Sequence, residues 1–463
     1  MHGSERKPGH RIPGRLAVSC VFLFLVIRQL DAGQGNPLPA SFSDFGRSVT
    51  PAALRIFAFS RPWLKLLHYK RNLFGRYKSQ VDSPSFFVDT QGKTAPLREL
   101  VATLELFLTN RLAYSRFPAR HELVARHFGL QLPVNMAPDL VQFLAENRTS
   151  SVSVAFSSYY LNSPASIFGH LFMKLENRNS SLLDSGIDFT ADTTGAGTFT
   201  FLFGGMTGYF AGRYSILPFH KKLREYNDYE NRDVWLYRLK MPPGRQDFFL
   251  KHLWELGKIK YDYYFLTENC AYHILSAIEA VFPEFDLTDK TGKLVIPVQS
   301  LRILVDHKLV ERVENIPSLR NLFLGNYRKT GKEEKKLFHA VIRRRSLPAT
   351  GSGGYSPVLL DALIDYFNYK YPSFHLDLAI KEQHDVFELK KELYRLRGLS
   401  PSTHSAPPLR AKDDVQPPHI LHDSMRLGFF EGYNTRLDGW YLKSELRFVF
   451  HDLADPPGGY PNN

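Results

Sequence analysis

Beyond its N-terminal hydrophobic stretch the 463-residue chain holds one cysteine, Cys270, in the run Tyr261-Asp-Tyr-Tyr-Phe-Leu-Thr-Glu-Asn-Cys-Ala-Tyr-His-Ile-Leu-Ser-Ala-Ile-Glu-Ala. The run reads as a loop entering the first turn of an amphipathic helix over residues 269–281. Unpaired backbone N–H groups and the helix dipole favour a thiolate over a thiol at such a position, and the thiolate is the form that attacks a carbonyl carbon. Cys270 is therefore a candidate nucleophile. The competing reading is a buried thiol that packs like a small hydrophobe.

A thiolate nucleophile needs a neighbouring base that carries its proton and later protonates the leaving group, and imidazole suits this near neutral pH. Of the 17 histidines, His170 is the best placed: Ser163-Pro-Ala-Ser-Ile-Phe-Gly-His puts it at the start of a strand directly after a turn, with Leu171, Met173 and Leu175 on the opposite face. An edge-strand histidine with a structural hydrogen bond is the alternative. His273 lies one helical turn after Cys270, but side chains one turn apart project in parallel and seldom meet in proton-transfer geometry. A third polar group should orient the imidazole. Asp188 and Asp184 on the following strand are the candidates, and Asp188 joins Cys270 and His170 in the expected catalytic set, although either carboxylate can equally be a solvated turn group. Asn269 beside the thiol, with Gly204, Gly205 and Tyr209 in a Gly-aromatic segment, are the expected substrate-binding residues.

Other chemistries are poorly served. The chain has no His-Glu-x-x-His pair, no Cys-x-x-Cys, no Gly-x-x-x-x-Gly-Lys and no Gly-x-Ser-x-Gly elbow. No metal ligand set and no cofactor are expected. The formal charge of +13 is spread along the chain, with runs at Lys221-Lys222 and at residues 332–336 and 343–345. No basic stripe is interleaved with regularly spaced aromatics, so nucleic acid is not an expected partner. An anionic membrane surface is the more economical one, against a plain reading of solvated cationic faces.

The elements that must position these residues follow from periodicity. Residues 1–33 combine a basic front with a short apolar run, shorter than the ~20 residues of a membrane span, and read as an export signal or N-terminal anchor. Without Cys20, which lies in that run, Cys270 has no partner for an intrachain disulfide. Residues 34–150 form a helical region, its helices separated at Pro118 and Pro133. Residues 151–290 form the catalytic core, with strands at 151–156, 169–176, 182–189 and 233–239 and helices at 246–260 and 269–281. Residues 199–214, with Gly204, Gly205, Gly208 and Gly212 among aromatics, read as a mobile apolar lid or loop. Residues 291–400 are mainly helical, with Pro357 at a helix start. Residues 401–420 form a linker, and 421–463 an amphipathic β-hairpin turning at 434–439, one apolar parity half-buried; a lone hairpin must dock or begin a larger β domain. The fold class is α+β.

The runs Ser157-Ser-Tyr-Tyr-Leu-Asn-Ser-Pro-Ala-Ser-Ile-Phe-Gly-His170, Leu202-Phe-Gly-Gly-Met-Thr-Gly-Tyr-Phe, Glu225-Tyr-Asn-Asp-Tyr-Glu-Asn-Arg-Asp233 and Glu268-Asn-Cys270 closely resemble the Lnb N-terminal periplasmic domain family, which includes lipoprotein N-acyltransferases. The His-before-Cys order is also similar to the circularly permuted branch of the NlpC-type papain-like superfamily. The resemblance implies a permuted papain-like core with helical flanking segments, in which Cys270 attacks and His170 is the base. It further implies a periplasmic, membrane-associated acyltransferase that moves an acyl chain from a phospholipid ester, through a Cys270 thioester, to an amine such as a lipoprotein N-terminus. Two features depart from the family. Ser115 stands where relatives often carry a cysteine, and a linker and hairpin follow the core where acyltransferase members have hydrophobic membrane helices. A cysteine peptidase or amidase, and a non-catalytic envelope protein that binds lipid or a partner, remain the alternatives.

Overall fold

The computed structural model describes residues 49–160, 168–348, 354–371, 380–400, 416–420 and 425–448. The expected export signal at 1–33 and most of the expected linker lie outside them. The N-terminal part runs α1 (Pro51–Ala58), α2 (Arg61–Leu66), β1 (Tyr69–Arg71), β2 (Tyr77–Ser79), α3 (Pro96–Thr109), α4 (Ala113–Arg116), α5 (Pro118–Phe128) and α6 (Pro138–Glu146). The middle part runs β3 (Thr149–Ser157), β4 (His170–Asn177), β5 (Ser185–Ala191), α7 (Thr198–Thr207), β6 (Phe210–Pro218) and α8 (Phe219–Leu223), which passes into a π-helical turn (Arg224–Tyr229). It continues through β7 (Val234–Leu239), α9 (Pro243–Leu256), β8 (Tyr261–Tyr263), α10 (Cys270–Val281), α11 (Pro297–Asp306) and β9 (Val310–Ile316). Helices α12 (Leu319–Lys329), α13 (Lys332–Arg344), α14 (Pro357–Lys370) and α15 (Ile380–Leu399) follow, then a hairpin of β10 (Met425–Asn434) and β11 (Gly439–Phe448). Proline opens α3, α5, α6, α9, α11 and α14. Its missing N–H costs nothing there, because the first helical turn leaves that group unpaired in any case.

The centre is a seven-stranded antiparallel sheet in the order β8-β6-β5-β4-β3-β7-β9. Alternation along each strand sends residues to opposite faces. Leu171, Met173 and Leu175 of β4 and Ile187 and Phe189 of β5 join Ala271, Ile274 and Ile278 of α10 in one buried cluster that also takes in α1, α2, α3, α5 and α11. The opposite face carries Phe172, Ala155 and Leu236, covered by Phe219 of α8 and Tyr226 of the π turn. The N-terminal helices are therefore part of the same core as the sheet. A buried ion network also joins them: Arg120 of α5, fully shielded, bonds Glu99 of α3 through Nη1 (3.1 Å) and Glu255 of α9 through Nε (3.0 Å). Glu255 Oε1 also accepts from the N–H groups of Ala119 and Arg120, at the first turn of α5. Burial pushes both carboxyls up, so the guanidinium is what keeps two carboxylates tolerable in one dry site.

Three expectations about the core and its borders change. Residues 199–214 are ordered as α7 and β6, because the glycines serve close packing: a Cβ at Gly204 would sit 2.7 Å from the Phe210 ring and one at Gly205 2.3 Å from Phe265. Only a helix face without side chains can lie that close to two aromatic rings. The core extends past residue 290, since β9 pairs with β7 at the sheet edge. Its sequence, Val-Glu-Arg-Val-Glu-Asn-Ile, lacks clean alternation because an edge strand is only partly covered. The end of the supposed linker docks: Arg302 Nε donates to the His419 carbonyl at 2.9 Å, and Tyr237 Oη meets His419 Nδ1 at 3.0 Å.

Helices α12 to α15 carry a separate core built on Phe338, Val341, Leu359, Leu363, Phe367 and Leu393. The hairpin forms as the alternation requires, with Leu427 opposite Leu446 and Tyr433 opposite Trp440. Its apolar parity is open, however, with Trp440 78% and Leu442 88% exposed, so the expected half-burial is absent. Ser115 takes a polar role: its Oγ donates to the Asn135 carbonyl (2.8 Å) and accepts from Ala137 N–H (2.7 Å).

Replacing Arg120 with Met should strand Glu99 and Glu255 as buried charges and destabilise the protein by about 3–5 kcal/mol. Urea unfolding at pH 7 checks this; a loss within about 0.5 kcal/mol, the size of a surface substitution, would mean the network does not hold the N-terminal helices to the core.

Candidate active site

Helix α10 begins where the sequence places a capping residue. Asn269 has an extended backbone (φ −94°, ψ −172°), and its Oδ1 accepts from Ala271 N–H (3.1 Å) and Tyr272 N–H (3.3 Å). Its Nδ2 donates to the carbonyls of Phe265 (3.0 Å) and Val295 (2.8 Å). All its hydrogen-bonding capacity is thus spent on fixing the helix start, and Asn269 positions Cys270 rather than offering a free group to substrate. Cys270 follows as the first helical residue, 5% exposed.

The pairing of β4 with β5 runs only over Met173–Leu175 against Ile187–Ser185. At the His170 end the two strands part, and the sulfur meets them there: Leu171 N–H and the His170 ring both hydrogen-bond to it. His170 Nε2 lies 2.7 Å from Asp188 Oδ1, which leaves Nδ1 as the ring nitrogen for the sulfur. Asp188 Oδ2 in turn faces Lys222 Nζ at 2.7 Å, and that ammonium also reaches Glu225 Oε2 at 3.1 Å. The result is a row of alternating charge, sulfur to imidazole to carboxylate to ammonium.

Burial works against charge on every member, and the neighbours outweigh it. Burial pushes the Cys270 thiol up, but the His170 cation and its hydrogen bond hold it below the usual thiol range. Burial pushes His170 down, yet the Cys270 sulfur and the Asp188 carboxylate raise it to about 10. Burial pushes Asp188 up, while His170 and then Lys222 bring it to about 2. The neighbours thus favour thiolate and imidazolium, the reactive form of a cysteine nucleophile. His170 keeps 16% of its side chain exposed, which leaves the row approachable from solvent.

Two residues of the site were not singled out in the sequence. Tyr263 of β8 accepts from Cys270 N–H through its hydroxyl (3.1 Å) and bonds the sulfur as well. Burial and then the sulfur's charge push that phenol well above its ordinary value, so it stays a donor. Lys222 read as one half of a basic surface pair; its near-complete burial was invisible without α8. Of the other candidates, Asp184 ion-pairs with Lys174 (3.0 Å) and accepts from Asn177 N–H, apart from the histidine. His273 stacks on Phe189 (4.1 Å between centroids) and packs against Tyr261, inside the core. Gly204 and Gly205 are buried on the inner face of α7, and Tyr209 stands 75% exposed beyond its end.

The ion pair sets the pH dependence of Cys270: a step that needs imidazolium as acid is bell-shaped, whereas alkylation needs only the thiolate and keeps the acid limb alone. The pair forms once the lowered thiol ionises and is lost on the alkaline side as His170 releases its proton near 10. Iodoacetamide labelling of the Cys270 peptide, followed by mass spectrometry, should be rapid at pH 7, where an ordinary thiol is mostly protonated. His170→Ala removes the cation that opposes burial and should slow labelling at pH 7 by roughly tenfold or more; equal rates would show that the imidazole does not ionise the sulfur.

Residues 56–127 match a domain of unknown function, DUF7843. No curated protein and no solved structure matches the chain. Residues 139–307 match the model of the Lnb N-terminal periplasmic domain, and that span contains Cys270, His170, Asp188, Lys222 and Tyr263. Residues 139–307 are thus similar to the Lnb N-terminal periplasmic domain family, whose description is that of a periplasmic domain.

Proposed function

We propose that the protein is a periplasmic thiol acyltransferase working on membrane lipid, with a permuted papain-like core in which His170 precedes Cys270. The observation that carries the reading is the contact of an ionised Cys270, at a helix start, with a His170 that Asp188 orients. In the first half-reaction the thiolate attacks the carbonyl carbon of a lipid ester. The C–S bond forms, the ester C–O bond breaks, and the His170 imidazolium gives its proton to the departing alkoxide. In the second an amine, such as a lipoprotein N-terminus, attacks the thioester. The C–N bond forms, the C–S bond breaks, and the amine proton returns to the imidazole, restoring the ion pair. The N–H of Leu171 and the hydroxyl of Tyr263 both reach the sulfur and are the candidate donors for the oxygen that gains charge in each step.

A lipid donor is favoured by α7. Its inner face packs on Phe210 and Phe265, and the Phe265 carbonyl accepts from Asn269, the cap of the nucleophile's helix. Its outer face presents Phe199, Phe203, Met206 and then Tyr209, from 55% to 75% exposed. Residues 193–212 contain no charged side chain in a chain that is 23% charged. An exposed apolar stripe one packing layer from the thiol suits an acyl chain or bilayer surface. Among the described residues no helix is long and apolar enough to cross a membrane, so the stripe is the candidate lipid contact rather than a span. The non-catalytic alternative expects a sulfur buried away from His170, so their contact supports the catalytic reading.

Phospholipid vesicles with labelled acyl chains should leave label on Cys270, and Cys270→Ala should abolish labelling with little change in thermal stability. Labelling of Cys270 by peptide-based thiol probes with none from lipid would make the protein a peptidase or amidase instead. Phe203→Asp combined with Met206→Asp should cut lipid labelling at least tenfold and leave iodoacetamide labelling unchanged; full lipid labelling in that variant would remove α7 from the donor site.

A further inference from the structure

The segment Lys222 to Asp233 has no partner in the chemistry so far except through Lys222, yet it encloses the histidine from behind. Lys222, Glu225 and Tyr226, spaced i, i+3 and i+4 where α8 passes into the π turn, face the same side, and such a turn is a local irregularity often found at functional sites. Tyr226 lies against the His170 ring, 6.0 Å between centroids at 41°, and beneath the Lys222 ammonium at 5.6 Å. Arg232 donates to the carbonyls of Ser157 (3.0 Å) and Ser158 (2.5 Å), tying down the end of β3 that pairs with His170. Asp233 Oδ1 accepts from Ser318 N–H and Asn321 Nδ2, anchoring the far end.

Charge counting then gives Lys222 a task. Thiolate, imidazolium and carboxylate together carry one net negative charge in a buried site, and an uncompensated buried charge drives proton uptake. The groups that face Lys222 are Asp188 from β5, Glu225 and the Tyr226 ring; those that face the sulfur are His170, Leu171 N–H, Tyr263 and, one step further, Asp188. Glu225 is half exposed and water-screened, so Lys222 is the cation that balances the row. We propose that Lys222 is a positioning residue of the site, whose ammonium neutralises and aims Asp188 so that thiolate and carboxylate can be ionised together on either side of His170. This rests on the ionised thiol of the proposed function but not on the identity of the acyl donor.

The test is the pH profile of iodoacetamide labelling of Cys270 in the full chain, which needs no lipid. Lys222→Met should move the acid limb of the profile up by about one pH unit, with labelling about tenfold slower along that limb. Lys222→Gln, which can still donate to Asp188 but lacks charge, should show the same shift and keeps the question open to measurement if the Met variant does not fold. Lys222→Arg should restore the native profile. Profiles of the Met or Gln variants that superimpose on the native one, or an Arg variant shifted as far as they are, would overturn the proposal. Vesicle labelling answers separately: loss of lipid transfer in the native chain with the Lys222 shifts intact would sink the acyl donor and leave the charge row standing.

Discussion

A buried charge must be matched, and the central region of this protein is arranged around that constraint. The His170 cation holds the sulfur at the start of α10 below the usual thiol range, the sulfur and the Asp188 carboxylate raise His170, and His170 and then Lys222 lower Asp188 although it is almost wholly buried. Each member sits on a different element, α10, β4, β5 and α8, so the row exists only when the helix, two strands and the covering segment are packed together. Chemistry and folding are coupled through one line of contacts.

The same rule recurs away from the thiol. Arg120 between Glu99 and Glu255 joins α3, α5 and α9, and it does so where both carboxyls are wholly shielded. The region matched by DUF7843 is therefore bound to the region matched by the Lnb model by a desolvated ion triad as well as by shared apolar surface. Such a triad adds geometry more than net stability, because its Coulomb energy is largely offset by desolvation. Its consequence is a fixed relation between α9 and the helices that precede the sheet, and α9 packs directly against α10.

The glycines of residues 199–214 serve close packing in a helix and a strand rather than a loop. In α7 they face inward, where Phe210 and Phe265 leave no room for a Cβ, and Gly208 ends the helix with φ +76° against the Tyr264 ring. A glycine-rich, aromatic-rich run satisfies two patterns at once, a loop and a tightly seated helix, and only the neighbouring rings from the β8 region distinguish them. The outward aromatic stripe follows from that seating: once the small residues turn in, Phe199, Phe203 and Met206 have to turn out.

By itself the sequence determined the α+β class, the helix starting at Asn269-Cys270, the strand opening with His170, and the terminal hairpin, because each rests on local signals: a capping side chain, a turn before an alternating run, a parity pattern. It also narrowed the imidazole's partner to two aspartates. Choosing Asp188 over Asp184 required the tertiary structure, since both share a segment and differ only in which strand end they reach. Lys222, Tyr263 and the edge strand β9 were out of reach for a related reason. Each owes its role to a contact across 7 to 82 residues of chain, as between Tyr263 and Cys270 or Ile316 and Val234, and local periodicity carries no information about which distant groups will face each other in a shared, water-excluded site.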